Sequence, residues 1–209
     1  MWTLTQKETL VKYLQQHRDA LHWKLDGVSE RDIRWPMTPT GTNLLGIVKH
    51  VASVEFGYFG EVFGRPSGEP LPWFEDGAPD NADMWATADE SRQSIVDLYH
   101  RVLVHTDRTI DEFDLDAPGF VPWWQPELRE VSLHRVLVHI IAETARHVGH
   151  ADILRELIDR KVGVRADNSN VPEHDVAWWG DYVETLQRAA RGGRTRLRWL
   201  RLFRVAPSA

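Results

Sequence analysis

Apolar residues recur at helical intervals in four long stretches of the chain, and segments rich in Pro, Gly, Asp and Trp separate them. In the first stretch Leu10, Leu14, Leu21 and Leu25 form one stripe. They predict a helix from about Thr5 to Leu25, stopped by Gly27 in a left-handed cap. The second helix starts at the acceptable caps Thr42 or Asn43 and carries Ile47, Val51, Val54 and Tyr58 towards Phe63. Thr87 and Glu90 have capping-box spacing and open a third helix to about Phe113, with Ile95, Leu98, Val102 and Ile110 as its apolar stripe. The fourth runs from Val131 to Arg160 without a Pro and starts after a Ser132 cap. Its residues Leu137, Ile140, Ile141, Val148, Ile153, Leu157 and Ile158 leave little of it fully solvated. A shorter helix is expected from about Glu173 to Ala190, with Trp178 and Trp179 packing it on the bundle.

The connections carry their own signals. From Val28 to Thr42 two prolines forbid a continuous helix, and Trp35 reads as a packing anchor. From Gly64 to Thr87, Pro66, Pro70, Pro72 and Pro79 exclude a long regular element. A loop of this length is uncommon in a compact domain unless it covers or completes a site. Its Trp73, Phe74 and Trp85 either wall a pocket or plug the outer core. A second aromatic loop, Asp114 to Glu130, leaves room for a short hairpin before the fourth helix. The pattern is all-α: a four-helix bundle with long connecting loops and a short extra C-terminal helix. Residues 1–190 form one domain, and 191–209 are expected to be a poorly ordered basic extension.

Charge and composition narrow the function classes. The net charge is −6, yet six Arg and no acid lie from Arg191 onward, so residues 1–190 come to −12. An acidic body argues against a phosphate-tracking nucleic-acid surface. The Arg-rich tail alone keeps a membrane- or nucleic-acid-binding alternative open. With no run of 18 apolar residues and no leader at Met1, neither a membrane span nor a signal peptide is expected, and the expected location is cytoplasmic. Cysteine is absent, which removes disulfides, thiolate metal sites and cysteine nucleophiles, so any thiol chemistry would use a bound thiol. Ten Trp suit both cores and pocket walls. No glycine-rich phosphate loop or Gly-x-Ser-x-Gly elbow occurs, Ser132 with His134 is too local for a triad, and His100 and His105, five apart, share no face.

The fourth helix carries the chemistry. His139, Glu143, His147 and His150 fall on one stripe about 80° wide. Glu143 and His147, four apart, can converge beside the helix. As a pair they can be a plain hydrogen bond. Four such groups on a largely apolar helix nevertheless need partners, because burying an unpaired polar group is costly. A divalent transition ion takes three or four donors at about 2.0–2.2 Å, so the pair makes half a site. His50 stands on the apolar face of the second helix, where a lone His is more often a core residue; opposite Glu143 and His147 it becomes the third donor.

Two stretches, Thr40-Gly-Thr-Asn-Leu-Leu-Gly-Ile-Val-Lys-His-Val-Ala-Ser-Val-Glu55 and His139-Ile-Ile-Ala-Glu-Thr-Ala-Arg-His-Val-Gly-His150, resemble the DinB-like (DinB/YfiT) superfamily of metal-dependent enzymes over about residues 10–160. The resemblance implies a four-helix bundle of that type with metal ligands on facing helices. Many members use three histidines; the matching positions here are His50, Glu143 and His147. A Glu in the middle departs from that pattern and is similar to the His-Glu-His set of mycothiol-dependent maleylpyruvate isomerase. His150 falls where many relatives carry Gln, which places it beside the ligands or in the pocket. Three protein ligands leave a coordination position open, the mark of a catalytic site. Zinc or nickel is the expected ion, and it would activate water or a thiol. The resemblance favours the thiol: a low-molecular-weight one such as mycothiol or bacillithiol, in S-transfer or thiol-assisted isomerisation of a small-molecule substrate. Two alternatives stand beside it. One is a metal-dependent hydrolase in which His139 or His150 moves the proton. The other is a non-catalytic metal-binding, stress-related bundle, with a homodimer allowed.

Overall fold

The computed structural model describes residues 3–192, so the Arg-rich stretch from Gly193 onward lies outside the described residues. The described part is mostly helical, with five helices and one two-stranded sheet. Helix α1 spans Gln6–Trp23 and opens on a complete capping box between Thr5 and Glu8. Helix α2 spans Leu44–Phe59, α3 Arg92–Glu112 and α4 Leu133–Asp159. Between α3 and α4, β1 (Pro118–Phe120) pairs antiparallel with β2 (Glu130–Ser132), Gly119 lying opposite Val131. Helix α5 spans Val176–Gly192.

By contacts the described residues fall into two compact units, divided between Asn170 and Val171. In the first, α2 packs on both α3 and α4, and α1 packs on α4. One apolar cluster joins Leu21, Leu45, Val51, Leu98 and Ala151, and a second joins Leu14, Phe59, Ile110, Val136 and Ile140. A buried ion pair ties three helices together: Arg18 of α1 donates to Glu55 of α2 at 2.6 Å and to Thr106 of α3 at 2.8 Å. Arg155 of α4 is fully buried and donates to the carbonyls of Lys24 and Asp26, orphan acceptors just beyond the end of α1. In the second unit α5 buries none of its residues, and Trp178 stacks between His174 and Tyr182.

Several boundaries differ from the sequence expectation, each for a local reason. Helix α3 begins at Arg92 under a Ser91 cap rather than at the Thr87 box. The Glu90 carboxylate does reach back to the Thr87 N–H at 2.7 Å, but it is also held by Lys49 of α2, and residues 87–90 form a turn instead. Helix α2 stops at Phe59, and a 3-10 turn, Glu61–Phe63, carries the chain to Gly64 in the left-handed region. Trp35 is not an anchor: it is half exposed under the Arg31 guanidinium, while Ile33 is the residue buried there. On α4, Leu137, Ile140 and Val148 are buried, but Ile153 and Leu157 are more than half exposed, so its last turns do present an apolar stripe. Among the described residues no helix is long and apolar enough to cross a membrane.

Candidate metal centre

Helix α2 buries Ile47, Val48, Val51 and Ala52 in the core, while His50 on the same helix is partly buried. Helix α4 presents Glu143 and His147 one turn apart, as their i, i+4 spacing requires. Across the contact between the two helices, Glu143 Oε1 lies 3.0 Å from His147 Nε2 and 3.6 Å from His50 Nε2. The imidazole centroids of His50 and His147 are 4.6 Å apart. One donor atom from each of His50, Glu143 and His147 lies within 4.8 Å of the others, and among the described residues this is the group of that kind.

The protonation states suit a cation. Burial works to raise the Glu143 carboxyl, but the hydrogen bonds and charges of His147 and His50 outweigh it and hold the pKa below the usual carboxylate range. His147 is pushed down, first by burial and then by the neighbouring His50, against the pull of Glu143. Near neutral pH this gives an ionised carboxylate beside a neutral imidazole, the forms in which both groups bind metals. His147 Nδ1 is buried without a protein partner, so only Glu143 satisfies that ring within the protein. Donors on one ion with bonds of about 2.0–2.2 Å stand roughly 3–4 Å apart. The residues present therefore fit a divalent cation with little rearrangement.

The other two stripe residues take different places. His139, one turn before Glu143, lies with its ring 4.8 Å from Tyr58 and 5.1 Å from Trp124. Burial lowers its pKa while Glu143 works in the opposite direction. Tyr58 Oη accepts from both Trp123 Nε1 and Trp124 Nε1, at 3.2 and 2.7 Å, which holds both indoles on Tyr58 and Trp124 beside His139. His150 is exposed, its ring 5.4 Å from that of His147. Neither belongs to the converging group.

One functional candidate was not visible in the sequence. Asp83, in a 3-10 turn (Ala82–Met84) of the proline-rich loop, places Oδ2 2.6 Å from His50 Nδ1. The hydrogen bond to His50 holds its carboxyl below the usual range. The loop's length predicted that it completes a site, but Asp76, Asp80, Asp83 and Asp89 all lie along it or just beyond, and no periodicity selects among them. Of the loop aromatics, Trp73 packs on the core and donates to Ser53 Oγ at 2.9 Å, while Phe74 and Trp85 are about half exposed.

The model of the mycothiol-S-transferase family matches residues 9–160 of this chain, a span that holds α2 and α4 entire and all three converging residues. No curated protein matches the chain.

Proposed function

The chain belongs to the mycothiol-S-transferase family of the DinB-like superfamily, and on that premise we propose that it is a metal- and thiol-dependent transferase. Its substrates are a low-molecular-weight thiol of the mycothiol or bacillithiol kind and a small electrophile, joined by S-transfer or processed by thiol-assisted isomerisation. One observation carries this reading: two imidazoles and a carboxylate converge from facing helices in a chain that has no cysteine of its own. The packing of α2 on α3 and α4, and of α1 on α4, supports a four-helix bundle of the DinB/YfiT type around them.

His50, Glu143 and His147 would hold a divalent cation, zinc or nickel by preference, and three protein ligands leave room for a substrate atom. Such an ion, when bound, supplies Lewis acidity that lowers the proton affinity of a thiol. We assign the displaced proton to His139 or His150. His139 is the better shielded, and burial keeps its imidazole neutral and able to accept. Tyr58, Trp123 and Trp124 form a rigid aromatic wall on that side, suited to the apolar part of an electrophile.

The test is bound metal and turnover together. Untagged wild-type protein should carry about one equivalent of zinc or nickel by elemental analysis, and Glu143→Ala and His147→Ala should lose it with helicity retained. With mycothiol and an electrophile, the loaded wild type should consume thiol and the two variants should not. Turnover without added thiol would overturn the transferase reading in favour of hydrolysis. Metal that can be stripped without any loss of turnover would reduce the site to a structural one.

A further inference from the structure

Helix α2 does more than supply one ligand: over two turns it grips the loop segment that carries Asp83. Asn43, its N-cap, accepts from Gly46 N at 2.8 Å through Oδ1 and donates from Nδ2 to the Met84 carbonyl at 3.2 Å. At Gly46 a Cβ would stand 1.8 Å from that same carbonyl oxygen, so the loop backbone lies directly on the helix where no side chain intervenes. Lys49, almost fully buried, donates to the carbonyls of Ala82 at 2.9 Å and Trp85 at 3.0 Å and pairs with Glu90. Residues Ala82 to Trp85 are thus bound from both sides of Asp83. The next residue after Lys49 is His50, whose Nδ1 meets the Asp83 carboxylate.

We infer that Asp83 is a positioning residue for His50: its carboxylate accepts the Nδ1–H, which fixes the imidazole in the tautomer whose Nε2 lone pair faces Glu143 and His147. The inference deepens the metal-centre reading and names the group that orients its third ligand. Each imidazole nitrogen has a different neighbour, Asp83 at Nδ1 and Glu143 at Nε2, and both neighbours are carboxylates. The single proton of a neutral ring goes to the shorter contact, 2.6 Å against 3.6 Å, leaving Nε2 free as an acceptor or ligand. A carboxylate on the outer nitrogen of a ligating His both holds the ring and raises its basicity, and its loss typically weakens metal binding about 10- to 100-fold.

The experiment uses the full chain with 15N-labelled histidine, in metal-free form, at about pH 8. Long-range proton–nitrogen correlation reads the tautomer of His50, its signals assigned with His50→Gln. In parallel, zinc affinity is measured by competition with a chromogenic chelator. The wild type should show the Nδ1–H tautomer, and Asp83→Ala should give a tautomer mixture and an affinity lower by about 10- to 100-fold at unchanged helicity. Asp83→Asn, whose Oδ1 can still accept from Nδ1–H, should keep the tautomer and recover part of the affinity. An unchanged tautomer in Asp83→Ala, or unchanged zinc affinity, overturns the assignment. A wild type that shows the Nδ1–H tautomer yet binds no zinc overturns the metal centre and leaves the positioning of His50 by Asp83 supported.

Discussion

Gly46 illustrates how much a single residue can decide in this fold. Its φ is ordinary; what it provides is absence, because the Met84 carbonyl oxygen occupies the space that a β-carbon needs. Backbone cannot swing aside as a flexible side chain can, so Gly46→Ala must push the Ala82–Trp85 turn off the helix. The expected cost is about 1–3 kcal/mol of stability in urea unfolding, together with weaker zinc binding as Asp83 withdraws from His50. A variant as stable as wild type would show that the turn does not sit as closely as described. At this scale the sequence was most readable where spacing does the work. Glu143 and His147 meet because residues four apart on a helix always do. Asp83 was not readable, since its approach depends on Gly46, Asn43 and Lys49 all presenting to one loop, and no pattern in the loop records that.

Among the elements, helix positions followed from apolar periodicity and helix ends did not always follow from cap motifs. Ser132 caps α4 where expected, because nothing competes for its side chain. Thr87 does not open α3, because Glu90 answers to a buried lysine on another helix. That tertiary claim has a pH consequence. Burial works to raise the Glu90 carboxyl, and the Lys49 ammonium and the Thr87 N–H outweigh it, so the folded pKa lies below the usual range. A carboxyl with a depressed folded pKa contributes stability that is present above its unfolded pKa of about 4.3 and is lost as pH falls through the folded value. The metal-free wild type should therefore melt higher than Glu90→Gln from pH 5 to 7, roughly a carboxylate's distance above that pKa. The gap should close steadily below pH 4 or thereabouts. A gap independent of pH would mean that the Lys49 contact does not depend on the Glu90 charge. The exposed Ile153 and Leu157 show the opposite failure of periodicity: an apolar stripe says which face is apolar, not that anything within residues 3–170 covers it.

For the molecule as a whole, the mostly helical character and the two facing helices followed from sequence, whereas what braces α1, α2 and α3 against one another did not. Arg18 and Glu55 are charged residues that the sequence reading did not single out, yet both are fully buried. Arg18 divides its donors among Glu55, Thr106 and Asp107, so it clamps α1, α2 and α3 at one level. Glu55→Ala strands a guanidinium in the core and should cost about 3–5 kcal/mol. Arg18→Met combined with Glu55→Leu should recover most of that loss, because the desolvation of both charges is removed along with their attraction. Urea unfolding of Arg18→Met, Glu55→Leu, the double variant and the wild type gives the coupling directly. If the double variant is as unstable as Glu55→Ala, the pair contributes attraction beyond its desolvation cost.

The grip of α2 on the Asp83 turn also bears on how portable this centre is. A designer who copied His50, Glu143 and His147 onto another pair of helices would carry over the donors and lose the reference that orients one of them. Ligands whose rotamers are not locked by their surroundings are the usual reason why transplanted sites bind loosely. The smallest transferable unit is therefore larger than three residues: the N-terminal half of α2 from Asn43, the Ala82–Glu90 segment it holds, and the facing turn of α4. The same linkage makes the loop hard to vary by itself, since changes to its length or backbone path reach the ligand through Asp83.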